Sequence, residues 1–294
     1  MNLKVVVSGI LVSTIFGFSF LFTKNALDYI SPLTFLSHRF CIAFLSYLVL
    51  LALGTVRLEK KPYWKLWKLV LFQPVLYFIF ETYGVQRINS SEAGMIIALI
   101  PITVNILAVF LLKEKGDFLH YFLVGLGFIG VSLIVGFNIT LENIAGKIYM
   151  LLAVFSGAMY NVLSRKLSKE FSPNEITFFM MMIGAIFFTV FSVIKGEFSL
   201  VFNVHVTVGA LYLGILSSTA AFFLLNYMIN KVSPIVTTLF SNLTTVTSVI
   251  AGVVFRNEEV GAQQLIGMGL IIVSLIMTAL RRTSAPRSNF CPQK

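Results

Sequence analysis

The length and number of uninterrupted apolar runs constrain this chain most. Ten stretches qualify, at about 5–23, 33–53, 68–88, 92–112, 118–137, 146–164, 174–194, 206–229, 234–255 and 262–280. A bilayer core is crossed by about 20 apolar residues in helical form. Backbone polar groups in lipid must be satisfied within the segment, and the period-two alternation of a membrane barrel is absent, so each run reads as a helix. Of the 294 residues, 57% are hydrophobic and only 12% charged, against about 25% charged in a soluble domain. The expected fold is an all-α integral membrane protein with ten transmembrane helices.

Ten spans place both termini on one side. That side receives Lys4, the five cations from Arg57 to Lys68, Lys113, Lys115, Arg165, Lys166, Lys169, Lys231 and the four cations after residue 280. The other side receives only Lys24, Arg39, Arg87, Lys147, Lys195 and Arg256. The positive-inside rule then predicts cytoplasmic termini and a multi-pass protein of the plasma (inner) membrane. The net charge of +10 reports this orientation. It lies in short loops between apolar runs and forms no basic arm, which argues against a nucleic-acid partner.

The chain nearly repeats itself. Residues 125–134 (GLGFIGVSLI) match residues 267–276 (GMGLIIVSLI) at seven of ten positions. Further matches pair Lys24 with Arg165, Ser31-Pro32 with Ser172-Pro173, Tyr83 and Arg87 with Tyr227 and Lys231, and Glu114 with Glu258. Each half holds five spans, an odd number, so the halves must cross the membrane in opposite senses. Such inverted repeats are common in secondary transporters, which bind solute near the midplane between the repeats. The expected units are residues 1–140 with spans 1–5, residues 141–281 with spans 6–10, and a polar, proline-broken cytoplasmic tail, 282–294.

These residues bring a family into view. The Ser-Pro before span 2 followed by Arg39, Pro101 within span 4, Glu114 closing span 4 and the glycine-rich span 5 together resemble the EamA family of the drug/metabolite transporter superfamily. The resemblance covers about residues 5–280. It implies a ten-helix carrier with a central substrate cavity walled by spans 1, 3, 4, 6, 8 and 9, and most often an exporter of small metabolites. The second half departs from the pattern, with Met180 opposite Arg39, Thr245 opposite Pro101 and Leu225 opposite Glu81. The asymmetry points to the first half as the home of the charged functional groups.

Glu81 is the sharpest candidate. It lies about 12 residues into span 3, roughly 18 Å deep at helical rise. A carboxylate at that depth is costly and is normally paired, hydrated or functional. Arg39 in span 2 has similar depth, so the two readings are a structural Arg39–Glu81 ion pair and a proton-exchanging site. They are compatible, because a pair can gate. Span 9 presents Thr238, Asn242, Thr245 and Ser248 on one helical face. Asn242 favours a hydrated cavity, because an amide facing lipid is expensive. Asn105, Asn161 and Asn226 fall in the same class, with Tyr77, Tyr160 and Tyr227 as aromatic contacts. Pro101 frees a carbonyl in span 4, either as a hinge or as a passive kink.

The Gly-x-Gly pairs at 125–127 and 267–269 lack the strand and acidic residue of a nucleotide site, so no cofactor is expected, and packing of spans 5 and 10 against neighbours or each other explains them. His38, His120 and His205 form no cluster, no metal site is expected, and no nucleophile has a partnered base, which argues against an enzyme. The expected function is alternating-access transport, chiefly export, of amino acids or related zwitterionic or neutral solutes, with proton coupling through Glu81. A promiscuous drug exporter, an uncoupled facilitator and a non-transporting sensor or assembly subunit are the alternatives. The expected partners are the solute, lipid and protons, and the expected assembly is a monomer or weak homodimer.

Overall fold

The computed structural model describes residues 3–112, 122, 125–126, 129–130, 132–134, 141–201, 203–232, 237 and 240–284. Nine helices are described: α1 (Leu3–Leu27), α2 (Pro32–Ala52), α3 (67–87), α4 (90–112), α5 (Leu141–Leu167), α6 (Pro173–Ile194), α7 (Val204–Lys231), α8 (Ser241–Arg256) and α9 (Ala262–Ser284). They correspond to spans 1–4 and 6–10. Span 5 is described in fragments, helical at 125–126, 129–130 and 132–134. Among the described residues, six helices are long and apolar enough to cross a membrane, and Leu243–Arg256 and Ala262–Ser274 are shorter apolar helices. Helix α3 is not among the six. Glu114, Thr238, the side chain of Asn242 and the tail after Ser284 lie outside the described residues.

Local sequence sets the ends of the second span of each half in the same way. Ser31 and Ser172 take extended backbone at the N-cap, and the prolines after them sit in the first turn, where a missing N–H costs nothing. Both helices stop at glycines of positive φ, Gly54 at 70° and Gly196 at 68°. A left-handed residue after the last turn closes a helix, and glycine adopts it without strain. These two glycines occupy equivalent places in the two halves.

Packing repeats with the halves exchanged. Helix α1 packs along α8, as α5 packs along α4. Helix α3 packs along α5, as α7 packs along α1. The equivalent helices α2 and α6 pack on each other. The bundle is thus two inverted repeats wound through one another.

Two clamps show the same exchange. Lys24, at the end of α1, donates to the carbonyls of Val85, Gln86 and Ile88 at the end of α3. Its counterpart Arg165, at the end of α5, donates to the carbonyls of Ile229 and Asn230 at the end of α7. Each cation satisfies carbonyls that a helix end leaves free and complements the negative pole there. The first clamp lies at the end of the bundle away from the start of α1, the far end. The second lies at the near end, where α1 begins.

Spans 5 and 10 meet through Gly267 of the repeated Gly-x-Gly, with Gly130 as its partner in span 5. A Cβ on Gly130 would stand 2.6 Å from the carbonyl oxygen of Gly267, and one on Gly267 would strike the carbonyl oxygen of Gly130. Gly125 and Gly269 face open space. Backbones this close tolerate no side chain. Gly267→Val should therefore cost about 1–3 kcal/mol by overpacking and lower the thermal unfolding temperature in detergent. Gly269→Ala should change stability by no more than about 0.5 kcal/mol.

Candidate functional site

Two helices around the centre of the bundle depart from α geometry at matching places. In α3, residues Leu71–Leu76 form a wide π turn, and Gln73 within it is not helical at all, with φ −149° and ψ 118°. In α7, residues Tyr212–Ala221 form a longer π stretch. Single wide turns often mark functional positions, because they turn side chains that an α-helix would point elsewhere. The π stretch in α7 brings the adjacent Ser217 and Ser218 to one partner: Arg39 donates from Nε to Ser218 Oγ at 2.9 Å and from a terminal nitrogen to Ser217 Oγ at 3.1 Å.

Between these helices lies a cavity of about 90 Å³, or about 830 Å³ of empty space when the open solvent at its mouth is included. Its walls come from α1, α3, α4, α5, α7 and the start of α8, with Arg39 reaching in from α2. Glu81 and Arg39 both line it. Glu81 and Arg39 are 3% and 2% exposed. They share the cavity without a direct ion pair within 4.0 Å, though each lies within electrostatic reach of the other. Arg39 rests on the two serines and stacks its guanidinium over the Phe78 ring at 4.3 Å. Glu81 accepts one hydrogen bond, from Thr82 Oγ1 at 3.1 Å. Each charge thus has local support and unused hydrogen-bonding capacity. Phe16, Phe20, Phe78, Phe222 and Phe240 supply aromatic wall.

Of the residues singled out in the sequence, the cavity gathers Glu81, Arg39, Tyr77 and Asn161. The others that are described do not line it. Tyr160 donates to Asn226 Oδ1 at 2.7 Å, Ser164 donates to the same oxygen at 2.9 Å, and Asn226 Nδ2 donates to Thr177 Oγ1 at 3.0 Å. This network is buried and joins α5, α6 and α7. Asn105 is buried in α4 with its Oδ1 unpartnered, but it does not line the cavity. Tyr227 is half-buried and also off the cavity.

Pro101 and Thr245, matched in the repeat, act on the same break. Helix α4 is interrupted at Ala98 and Leu99, just before Pro101. The Ala98 N–H turns to Met95, and the Gly94 carbonyl accepts instead from Thr245 Oγ1 at 3.1 Å. A hydroxyl from the neighbouring helix satisfies a backbone group that the break releases, as lipid surroundings demand. Ile97 and Ile100 on either side of the break line the cavity.

Gln73 was not anticipated from the sequence, although a glutamine beside Pro74 in an apolar run is the same signal that marked the asparagines. It is 4% exposed and lines the cavity. Among the described residues there is no cluster of three or more His, Cys, Asp or Glu that could hold a metal ion.

The far end is closed by a carboxylate. Glu258, in the loop after α8, accepts from the N–H and Oγ of both Ser90 and Ser91 at 2.5–2.9 Å. It caps the positive pole of α4 from the other half of the chain. Burial pushes its carboxyl up, but these four hydrogen bonds outweigh burial and hold it below the usual carboxylate range. Arg256 next to it reaches Asn25 and, at 3.1 Å, Asp28. Lys147 of α5 pairs with Glu92 of α4 at 3.2 Å.

The profile of the EamA-like transporter family matches residues 3–136 and again residues 144–280. The chain belongs to the EamA-like transporter family. It is 33% identical over 283 residues to the uncharacterized transporter YcxC of Bacillus subtilis (strain 168), covering 92% of this chain and 91% of that one. It is 25% identical over 274 residues to an uncharacterized transporter of Archaeoglobus fulgidus, covering 92% and 96%. A solved crystal structure superimposes with a TM-score of 0.74 over 97% of this chain and all of the other, at 17% identity. That likeness speaks to the fold alone. As an EamA-like transporter, the protein is a multi-pass membrane protein that moves small solutes, built from ten helices in two inverted repeats.

Proposed function

We propose that this transporter exports small zwitterionic or neutral metabolites, amino acids among them, in exchange for protons. The observation that carries this reading is the pair of opposite charges, Glu81 and Arg39, set in one aromatic-walled cavity with no direct salt bridge between them. An ammonium group finds an acceptor in Glu81, and a carboxylate finds a donor in Arg39. A bulky anion would meet only one cation. Entry of the proton at Glu81 would exclude the ammonium, which is the mutual exclusion that exchange needs. One half of the bundle rocks against the other around this site to alternate access.

The charge bias supports cytoplasmic termini in the plasma (inner) membrane. That orientation puts the Glu258 cap outside and the Arg165 clamp inside. Residues 1–140 and 141–281 are then the two moving repeats, and 282–294 is a cytoplasmic tail. The carrier works as a monomer or weak homodimer.

The test is thermal unfolding of the purified protein against a panel of metabolites. A solute at a hundred times its dissociation constant should stabilise the protein by about 2.7 kcal/mol. Gly157→Leu, which fills the cavity beside Tyr77 and Ile100, should erase that shift. Binders that shift the filled variant as much as the wild type would place the site elsewhere. Stabilisation by chemically unrelated cations alone would favour a drug exporter.

A further inference from the structure

The cavity has a second polar place, remote from its charges. Helices α3 and α5 run antiparallel, and their register is fixed by close contacts: Gly84 lies against Met150, and Tyr77 lies against Gly157, where a Cβ would meet its ring at 3.2 Å. One turn further toward the near end, Gln73 falls beside Asn161. Both line the cavity, at 4% and 6% exposure.

Neither amide is satisfied. Asn161 donates its Nδ2 to the Gly157 carbonyl at 2.8 Å, and its Oδ1 is buried with no partner. The Gln73 amide enters no hydrogen bond among the described residues and stays accessible from the cavity, Asn161 Oδ1 being the fully buried unpartnered atom of the two; the two amides are not bonded to each other. Buried polar groups left unmade are costly and normally answer to something. The non-helical backbone at Gln73 is what turns its side chain inward from a helix otherwise packed on its neighbours.

We propose that Gln73 and Asn161 are the specificity-determining end of the cavity. They receive an uncharged hydroxyl or carboxamide at the distal end of a zwitterionic solute whose charged end lies at Arg39 and Glu81. This assignment rests on the zwitterion reading given above. Asn161 Oδ1 accepts and the Gln73 amide both accepts and donates, so the group that fits can do both. A carboxylate there would face the Asn161 oxygen, and a methyl group would leave both amides unmade. The solute's two polar ends are bridged by an apolar or aromatic spacer against Tyr77 and Phe222, which line the cavity with them.

The experiment measures transport by reconstituted protein for two near-isosteric pairs, tyrosine against phenylalanine and glutamine against methionine. It compares wild type with Gln73→Met and Asn161→Leu. A site built to bond a polar group strongly rejects the analogue that lacks it. Wild type should therefore favour at least one polar member over its apolar partner by about tenfold or more in kcat/KM. Each variant should collapse that preference through the polar member's KM while still carrying the apolar solute. Transport by the variants with the preference intact would overturn the assignment alone. Equal transport of both members of each pair by wild type would also overturn it, whether or not the variants fold. No transport of any of the four by wild type would overturn the zwitterion reading and this assignment with it.

Discussion

Glu81→Gln should leave a folded protein that no longer uses a proton gradient. The variant keeps the shape of the side chain and the reach of Thr82, and it removes the titrating charge. Arg39 does not depend on Glu81 for its hydrogen bonds, since Ser217 and Ser218 hold it and Phe78 stacks on it. The loss should therefore be functional. Gradient-driven accumulation should fall about a hundredfold, the upper range of coupling free energies between linked sites. Thermal stability without solute should stay close to that of the wild type. A Glu81→Gln protein that retained full gradient-driven transport would remove Glu81 from the coupling step. Arg39→Met should behave differently. It leaves a buried carboxylate beside two unfilled serines and should lose stability as well as transport.

Glu258→Ala should be the most destabilising change among the loop residues. It strips four donors at the start of α4 of their acceptor. Two of these are backbone N–H groups that no other residue is placed to satisfy. Hydrogen bonds to a charged group contribute about 1.5–3 kcal/mol each, so a net loss of about 3 kcal/mol is expected after relaxation and hydration. The same geometry sets a pH dependence. The folded carboxyl titrates below its ordinary value, so the unfolded chain binds the proton more readily. The contribution is therefore complete above the ordinary carboxylate range, about pH 4.3. It is lost as pH falls through the lower folded value. Unfolding followed from pH 7 down to pH 3 should show wild type and Glu258→Ala converging at the acid end. A constant gap between them would mean that the carboxylate charge contributes nothing.

Much of this architecture is legible in the sequence, and what is missing has particular causes. Run length and hydropathy suffice for the spans because lipid leaves the backbone no alternative to helix. The inverted repeat is readable because the halves kept their end residues. Lys24 and Arg165 match in sequence and perform the same capping at opposite ends of the bundle. Glu81 and Arg39 stand out because charge at that depth is costly enough to need a reason. The amides are harder. Asn161 and Asn226 carry the same signal, yet one faces the cavity and the other is locked by Tyr160, Ser164 and Thr177. Only helix rotation separates them, and an apolar run does not encode rotation clearly. The π turns hide more. Ser217 and Ser218 are adjacent, and in a regular α-helix adjacent side chains diverge by about 100°. Regular periodicity gives no reason to send both to Arg39. Gln73 is concealed in the same way, because its inward direction follows from a backbone that leaves the helix. The repeat locates the crossing of spans 5 and 10 only in part. Its Gly-x-Gly pairs include Gly267, which does make the crossing, but also Gly125 and Gly269, which face open space, while Gly130, the partner of Gly267, lies outside them.

The central claim is that a solute and a proton take turns in the cavity at Glu81 and Arg39. The most direct measurement is internal pH in sealed vesicles that hold the purified protein and a pH-sensitive dye, with no imposed gradient. Adding a solute that stabilises the protein to the outside should move protons outward as solute enters. Glu81→Gln should carry the solute by exchange without moving the dye signal. Solute entry into wild-type vesicles with no proton movement, or proton movement that persists in Glu81→Gln, would contradict the account.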